Sequence, residues 1–82
     1  MNIELTKEAL KDLKKIDIKQ RKIILAKIEL LKDYPATPNI KKLTNYYPPY
    51  RFRVGNYRVL FDIKDNIIYL ISVKHRKKAY KG

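Results

Sequence analysis

The sequence predicts an α+β fold: a two-helix antiparallel hairpin packed on one face of a small, twisted, mainly antiparallel β-sheet. Three observations lead there. Apolar residues in the first part of the chain recur at helical spacing, as Ala9, Leu10, Leu13 and Ile16, then Ile24, Ile28 and Leu31. From residue 50 the period changes to alternation, with aromatic and β-branched residues spaced two apart through YRFRV, YRVLFDI and IIYLISV. The dipeptides Gly55-Asn56 and Asp65-Asn66 separate those runs and suit tight reversals. With 82 residues, 45% of them hydrophobic, the chain is expected to form one domain over 1–82 with a single modest core.

In chain order, Asn2–Leu5 is a short extended opener with Ile3 and Leu5 on one side. Thr6 is a plausible helix N-cap, and Glu8 sits in the first turn, where negative charge suits the helix dipole. Asp17, followed three residues later by Gln20, resembles a capping box and restarts the helix. The second helix is expected from about Ile18 to Lys32, with Ile23, Leu25 and Leu30 broadening its apolar stripe and the lysines on a solvated face. Tyr34-Pro35 ends it, because a residue before proline is pushed out of the helical region. Ile40 and Leu43 offer a short core segment, and Tyr46–Pro49 is a proline-stiffened approach to the first hairpin, with Tyr46, Tyr47 and Tyr50 expected to pack there.

A two-residue loop at Gly55-Asn56 sets Val54 opposite Tyr57, Arg53 opposite Arg58, Phe52 opposite Val59 and Arg51 opposite Leu60. Phe52, Val54, Tyr57, Val59 and Phe61 then share the face that takes the helices, with Arg51, Arg53 and Arg58 on the other. A two-residue turn at Asp65-Asn66 adds Ile68, Leu70 and Ser72 to the helix face. Tyr69, Ile71 and Val73 join the arginine face, and Val73 falls opposite Arg58. The arginine face is expected to be open, basic and partly apolar, which is the character of a binding surface. Like charges directly opposite one another destabilise a ladder, so Arg53 facing Arg58 suggests an anion to be held. The tail KHRKKAYKG starts where the last strand ends, near the tip of the first hairpin, so Arg53, Arg58, His75, Arg76 and Tyr80 are expected to form one cluster.

Composition narrows the chemistry. There is no cysteine and a single histidine, His75, so neither a thiolate site nor a histidine metal cluster is expected, and no metal or other cofactor. The two glycines, Gly55 and Gly82, rule out glycine-rich phosphate loops. No apolar run reaches membrane-spanning length, and Met1–Leu10 carries Glu4 and Glu8 rather than a signal peptide, so the expected setting is cytoplasmic, away from membranes. Twenty Lys+Arg stand against eight Asp+Glu, a formal charge of +12, which points to a polyanionic target. Before residue 51 there are ten lysines and one arginine, Arg21; from residue 51 onward there are five lysines and four arginines. A chain that defaults to lysine has placed Arg51, Arg53, Arg58 and Arg76 in its sheet region, and the planar arginine fork grips phosphate through two bonds.

A helical hairpin followed by YRFRVGNYRVLFDI and then ISVKHRKKAY resembles the RelE/ParE superfamily of bacterial and archaeal toxins over essentially the whole chain. The resemblance implies two helices on one face of a twisted, largely antiparallel sheet and a cognate acidic antitoxin that wraps the toxin. In the RelE branch it implies ribosome-dependent cleavage of mRNA in the A site, without a metal: the 2′-hydroxyl attacks the adjacent phosphate and leaves a 2′,3′-cyclic phosphate or its 3′-phosphate product. By resemblance Arg58 and Arg76 stabilise the phosphorane, since fixed cations aimed at developing charge are typically the largest catalytic term. Arg51 and Arg53 fall where the RelE branch carries two lysines. Arginine does not give up its proton at working pH, so these two are expected to hold RNA backbone rather than move protons. Histidine is the side chain type that titrates near neutrality, which makes His75 the candidate acid or base. Tyr80 matches the family's C-terminal tyrosine, in a closer spacing, and could stack on a base or assist proton transfer. Lys74, Lys77 and Lys78 add electrostatic attraction to RNA, rRNA or the antitoxin. Two alternatives carry the same residues: a ParE-like gyrase inhibitor with no nuclease activity, and a non-catalytic RNA-binding module. The plainer readings are a strand-face arginine that snorkels at Arg51 or Arg53, and a surface histidine at His75.

Overall fold

Both helices start where the sequence puts their caps. The computed structural model describes residues 1–79, and in it Thr6 Oγ1 accepts from the Ala9 N–H at 3.2 Å and opens α1 (Lys7–Lys14). The same hydroxyl lies 2.9 Å from the Leu70 carbonyl and 3.0 Å from that of Ile71, so one side chain both caps the helix and pins it to the sheet. The Asp17 carboxylate accepts from the Lys19 and Gln20 N–H groups and opens α2 (Ile18–Ile28), which tightens into a 3₁₀ turn over Glu29–Asp33. Arg21, the lone arginine of the helical half, ties the two helices together. Its Nε donates to Leu13 O at 2.8 Å, and a terminal nitrogen donates to Lys14 O and Ile16 O. These are carbonyls that a helix end leaves without intrahelical partners.

Five strands make one sheet in the order β1-β5-β4-β3-β2, with β1 at Asn2–Leu5, β2 at Ile40–Lys42, β3 at Tyr50–Val54, β4 at Tyr57–Lys64 and β5 at Ile67–His75. A short helix, α3 (Arg76–Ala79), follows β5 directly. The β3–β4 hairpin has the expected register, Arg53 opposite Arg58 included. Gly55 takes φ +57° at the first turn position, the conformation a type II′ reversal asks of that residue. Asp65 and Asn66 both have positive φ, 51° and 64°, as a type I′ turn requires. The opener β1 pairs in parallel with β5, and β2 closes the far edge antiparallel to β3; the alternating pattern specifies neither pairing.

The β4–β5 ladder departs from strict alternation. Ile63 pairs with Ile68 and Phe61 with Leu70 as expected, but Ile71 is then skipped: Leu60 pairs with Ser72, Val59 with Val73, Arg58 with Lys74 and Tyr57 with His75. Val73 therefore does not oppose Arg58, and Ser72 does not belong to the helix face. The cause is visible at the edge of β5. Pairing with β1 ends at Leu70, and α1 takes over, with the Val73 N–H donating to Asp12 Oδ2 at 2.9 Å. The bulge lets the valine, rather than the serine, fill the core. Val73 joins Phe52, Val54, Val59, Phe61, Ile68 and Leu70 of the sheet against Leu13, Ile24, Ile28 and Leu31 of the helical half. By contrast Ile23, Leu25 and Leu30 do not broaden the buried stripe of the second helix; they are exposed.

The opposite sheet face is less open than expected. Arg51 is only 5% exposed, with Leu60 and Ser72 buried beside it, and its guanidinium carbon lies 4.7 Å from the centroid of the Tyr46 ring. On the helix side of the sheet, Tyr50 stacks on Phe61 at 5.1 Å and meets Tyr34 edge-on at 5.6 Å. Burial, and after it the hydrogen bond with Tyr50, pushes the Tyr34 phenol above its ordinary value. Among the described residues no helix is long and apolar enough to cross a membrane.

Candidate nucleic-acid interface

A cleft of about 590 Å³ opens at the tip of the β3–β4 hairpin, between that tip and α2. Four cations from four elements line it: Lys27 of α2, Arg53 of β3, Arg58 of β4 and Arg76 of α3. Local hydrogen bonds place the segments that carry the arginines. Arg53 donates its N–H to Asn39 O and a terminal guanidinium nitrogen to Asn39 Oδ1, both at 3.0 Å, with Asn39 itself at φ 66°. Arg58 donates from one terminal nitrogen to Gly55 O and Tyr57 O, each at 3.0 Å, folding its guanidinium back over the turn. The Arg76 N–H donates to Asn56 O at 2.7 Å, so α3 begins hydrogen-bonded to the hairpin turn.

Among the described residues no carboxylate lines this cleft. The acidic side chains that make contacts do so elsewhere. Glu8 and Asp12 lie 3.9 and 3.1 Å from Lys74, Glu29 pairs with Lys32 at 2.8 Å, Asp17 caps α2, and Asp62 accepts from the Ile63 N–H. A second, smaller groove of about 310 Å³ lies across the hairpin and is lined by Lys41, Arg51, Arg53 and Arg58. Arg53 and Arg58 thus stand between two basic depressions, while buried Arg51 only floors one of them.

The single cluster expected from the sequence is divided. Arg53, Arg58 and Arg76 share a cleft, but His75 does not line it. Pairing with Tyr57 turns His75 to the helix side of the sheet, where its ring meets that of Tyr57 edge-on at 5.6 Å. Its Nδ1 accepts from the Lys77 N–H at 3.3 Å, a local bond closing the first turn of α3. The hollow around it is lined by Asp12, Lys15, Lys74 and Lys78. Lys74 is engaged by Asp12, whereas Lys77 and Lys78 are exposed. Tyr80 lies outside the described residues. Lys27 is the site residue that sequence reasoning missed. It is one of several lysines on α2, and only the packing of that helix against the hairpin singles it out. Asn39 and Asn56 are likewise visible only as turn formers in the sequence.

An arginine cleft on a hairpin tip has the chemistry that grips phosphate or another polyanion. Comparison with known proteins gives the chain its family. Residues 3–80 match the family described as ParE toxin of type II toxin-antitoxin system, parDE. RelE1 of Methanocaldococcus jannaschii is 35% identical over 86 residues, covering 99% of this chain and 96% of that protein. Toxin RelE3 of the same organism is 34% identical over 84 residues, covering 98% and 96%. The toxin in the RelB-RelE antitoxin-toxin complex from Methanococcus jannaschii superimposes with a TM-score of 0.74 at 34% identity, over 93% of each chain. The isolated E. coli RelE toxin shares the fold, with a TM-score of 0.70 at 20% identity over 90% of this chain and 82% of that one. The chain belongs to the RelE/ParE superfamily of toxins of type II toxin–antitoxin systems.

Proposed function

We propose that this toxin is a metal-independent endoribonuclease that cuts mRNA in the ribosomal A site. The observation that carries the proposal is the convergence of Arg53, Arg58 and Arg76 on one cleft. In the reaction the 2′-hydroxyl gives up its proton to water as its oxygen attacks the adjacent phosphorus, the P–O5′ bond breaks, and a 2′,3′-cyclic phosphate forms as the 5′-oxygen takes up a proton from water. Arg58 and Arg76 face the non-bridging oxygens, where charge grows in the phosphorane, and Arg53 holds the neighbouring backbone. The turn carbonyls already hold the Arg58 guanidinium, and α3, which carries Arg76, is hydrogen-bonded to the same turn, so little reorganisation is needed when charge develops. Exposed Lys77 and Lys78 add attraction to rRNA, Lys74 is largely committed to Asp12, and Tyr80 is the candidate to stack on a base. His75 is proposed as a positioning residue: through the Lys77 N–H it holds the first turn of α3, and α3 carries Arg76.

The partner is proposed to be an acidic antitoxin, a reading supported by the RelB-RelE complex of the Methanococcus jannaschii relative at 34% identity. An acidic segment that orders on binding would neutralise the cleft by covering it. Incubation with translating ribosomes and mapping of mRNA 5′ ends tests the nuclease reading. Cuts are expected with the wild type, and Arg58→Ala or Arg76→Ala should each slow them by about 10²- to 10³-fold, the usual cost of removing one fixed charge-stabilising donor. Uncut mRNA would end the proposal. The match to the ParE family favours one second reading, inhibition of DNA gyrase; gyrase-linked DNA breaks with intact mRNA would establish it instead.

A further inference from the structure

The wall of the cleft opposite the arginines is aliphatic. Ile23 and Leu30 are 49% and 42% exposed although both are large and apolar, and they line the cleft together with Pro38. Lys27 lies four residues after Ile23 and three before Leu30, spacings that put all three on one stripe of the helical segment. Among the described residues Lys27 has no ion-pair partner, although Glu29 is close in sequence and pairs with Lys32 instead. The cleft therefore presents an apolar wall, a lysine in the middle of it and three arginines across from it. That combination matches a nucleotide, which has an apolar base face on one side and phosphate on the other. The volume of about 590 Å³ lies within the range of small-ligand sites, about 300–1,000 Å³.

Resting on the nuclease reading above, we infer that this cleft is a nucleotide subsite for single-stranded RNA. A base lies against Ile23, Leu30 and Pro38, and Lys27 holds the phosphate next to the one on Arg58 and Arg76. An aliphatic wall offers no hydrogen-bond pattern, so the subsite contributes affinity with little preference among bases. It lengthens the grip on RNA to the α2 side of the hairpin and acts on KM rather than kcat.

The test uses the full chain and an uncleavable, fully 2′-O-methylated adenosine trinucleotide, followed by methyl NMR and by titration over a range of salt. The Ile23 and Leu30 methyl signals should shift under the ring current of the base. Lys27→Gln should lower the slope of log affinity against log salt by about 0.7, the value for one phosphate contact on a single strand. Ile23→Ser, an exposed position where folding is checked by Tm, should weaken the trinucleotide by about fivefold, the effect of a partly buried side chain, and leave inorganic phosphate binding unchanged. Static methyl signals, or Lys27→Gln and Ile23→Ser both within twofold of wild type while Arg58→Ala weakens binding, would overturn the subsite and leave the nuclease reading intact. Methyl shifts produced only by an acidic helical peptide, and not by the trinucleotide, would overturn it in favour of a protein-docking face. If mRNA is not cut but the trinucleotide binds as described, the subsite stands and the nuclease reading falls.

Discussion

His75 separates two accounts of how the proposed cleavage would be run. If the histidine transfers a proton, losing it should cost about 10²- to 10⁴-fold in rate and remove one limb of the pH profile. The structure gives it other work: one hydrogen bond from the Lys77 N–H to Nδ1 at 3.3 Å and one edge-on contact with Tyr57 at 5.6 Å. The hydrogen bond is worth about 0.5–1.5 kcal/mol. The ring contact is worth about 0.5–1.5 kcal/mol as well. If both act only by holding α3, His75→Ala loosens it by about 1–3 kcal/mol, and His75→Asn, whose side-chain oxygen can accept the same N–H, by about half of that. Half the upper figure corresponds to about tenfold in rate if the whole of it falls on Arg76. Single-turnover cleavage by His75→Ala and His75→Asn, measured from pH 5.5 to 8.5, is the assay. The expected result is partial rescue by asparagine and an unchanged profile shape. Two variants equally dead, with the same limb missing, would refute the positioning role and restore His75 as the acid or base.

Three further outcomes follow from the packing. Arg51→Ala should destabilise the chain rather than weaken RNA binding: the contact over Tyr46 is worth about 1–2 kcal/mol when desolvated. For a domain of this size each kcal/mol moves Tm by about 4–8 °C, which calorimetry reads directly. Asp12→Ala removes the acceptor for the Val73 N–H and the partner of Lys74, and should cost about 1.5–3 kcal/mol in denaturant unfolding, since hydrogen bonds to charged groups are the strong ones. Inorganic phosphate should raise Tm more than chloride at equal ionic strength, because it binds the assembled arginine cleft and not the unfolded chain. Equal effects of the two salts would mean that the cleft does not bind phosphate and that only general screening operates.

Local chemistry made much of this fold readable. Gly55-Asn56 and Asp65-Asn66 define their own turn types, and the turns set the registers beside them; Thr6 and Asp17 announce the helix starts for the same reason. What stayed hidden depends on residues distant in sequence. Nothing near Arg51 signals that Tyr46 will lie over it, so a buried cation reads as an exposed phosphate ligand. Lys27 reads as one surface lysine among many until α2 is set beside the hairpin tip. The two arginines that turn chemistry places, Arg53 and Arg58, went where the pattern put them, and His75, downstream of the bulge, did not.

The bulge itself can be tested by deletion. In a regular strand, removing one residue sends every later side chain to the other face. A bulge residue is the exception, because it has no partner across the ladder. Deleting Ile71 should therefore keep Leu70 opposite Phe61 and bring Ser72 to Leu60 and Val73 to Val59 without a flip, leaving His75 opposite Tyr57. The losses are a partly buried isoleucine and one of the two carbonyls near the Thr6 hydroxyl, together about 1–3 kcal/mol. The deletion variant should fold with a Tm lower by up to about 24 °C, the upper cost at 4–8 °C per kcal/mol. It should retain the ring-current shift of the His75 ring protons produced by the Tyr57 ring. Were β5 instead a regular strand with Val73 opposite Arg58, the same deletion would carry Val73 into the core and His75 away from the arginine side. Cleavage would then change with the histidine's position. A His75 ring signal that moves on deletion, with the fold intact, would show that the regular register is the true one and that the division between His75 and the arginine cleft is wrong.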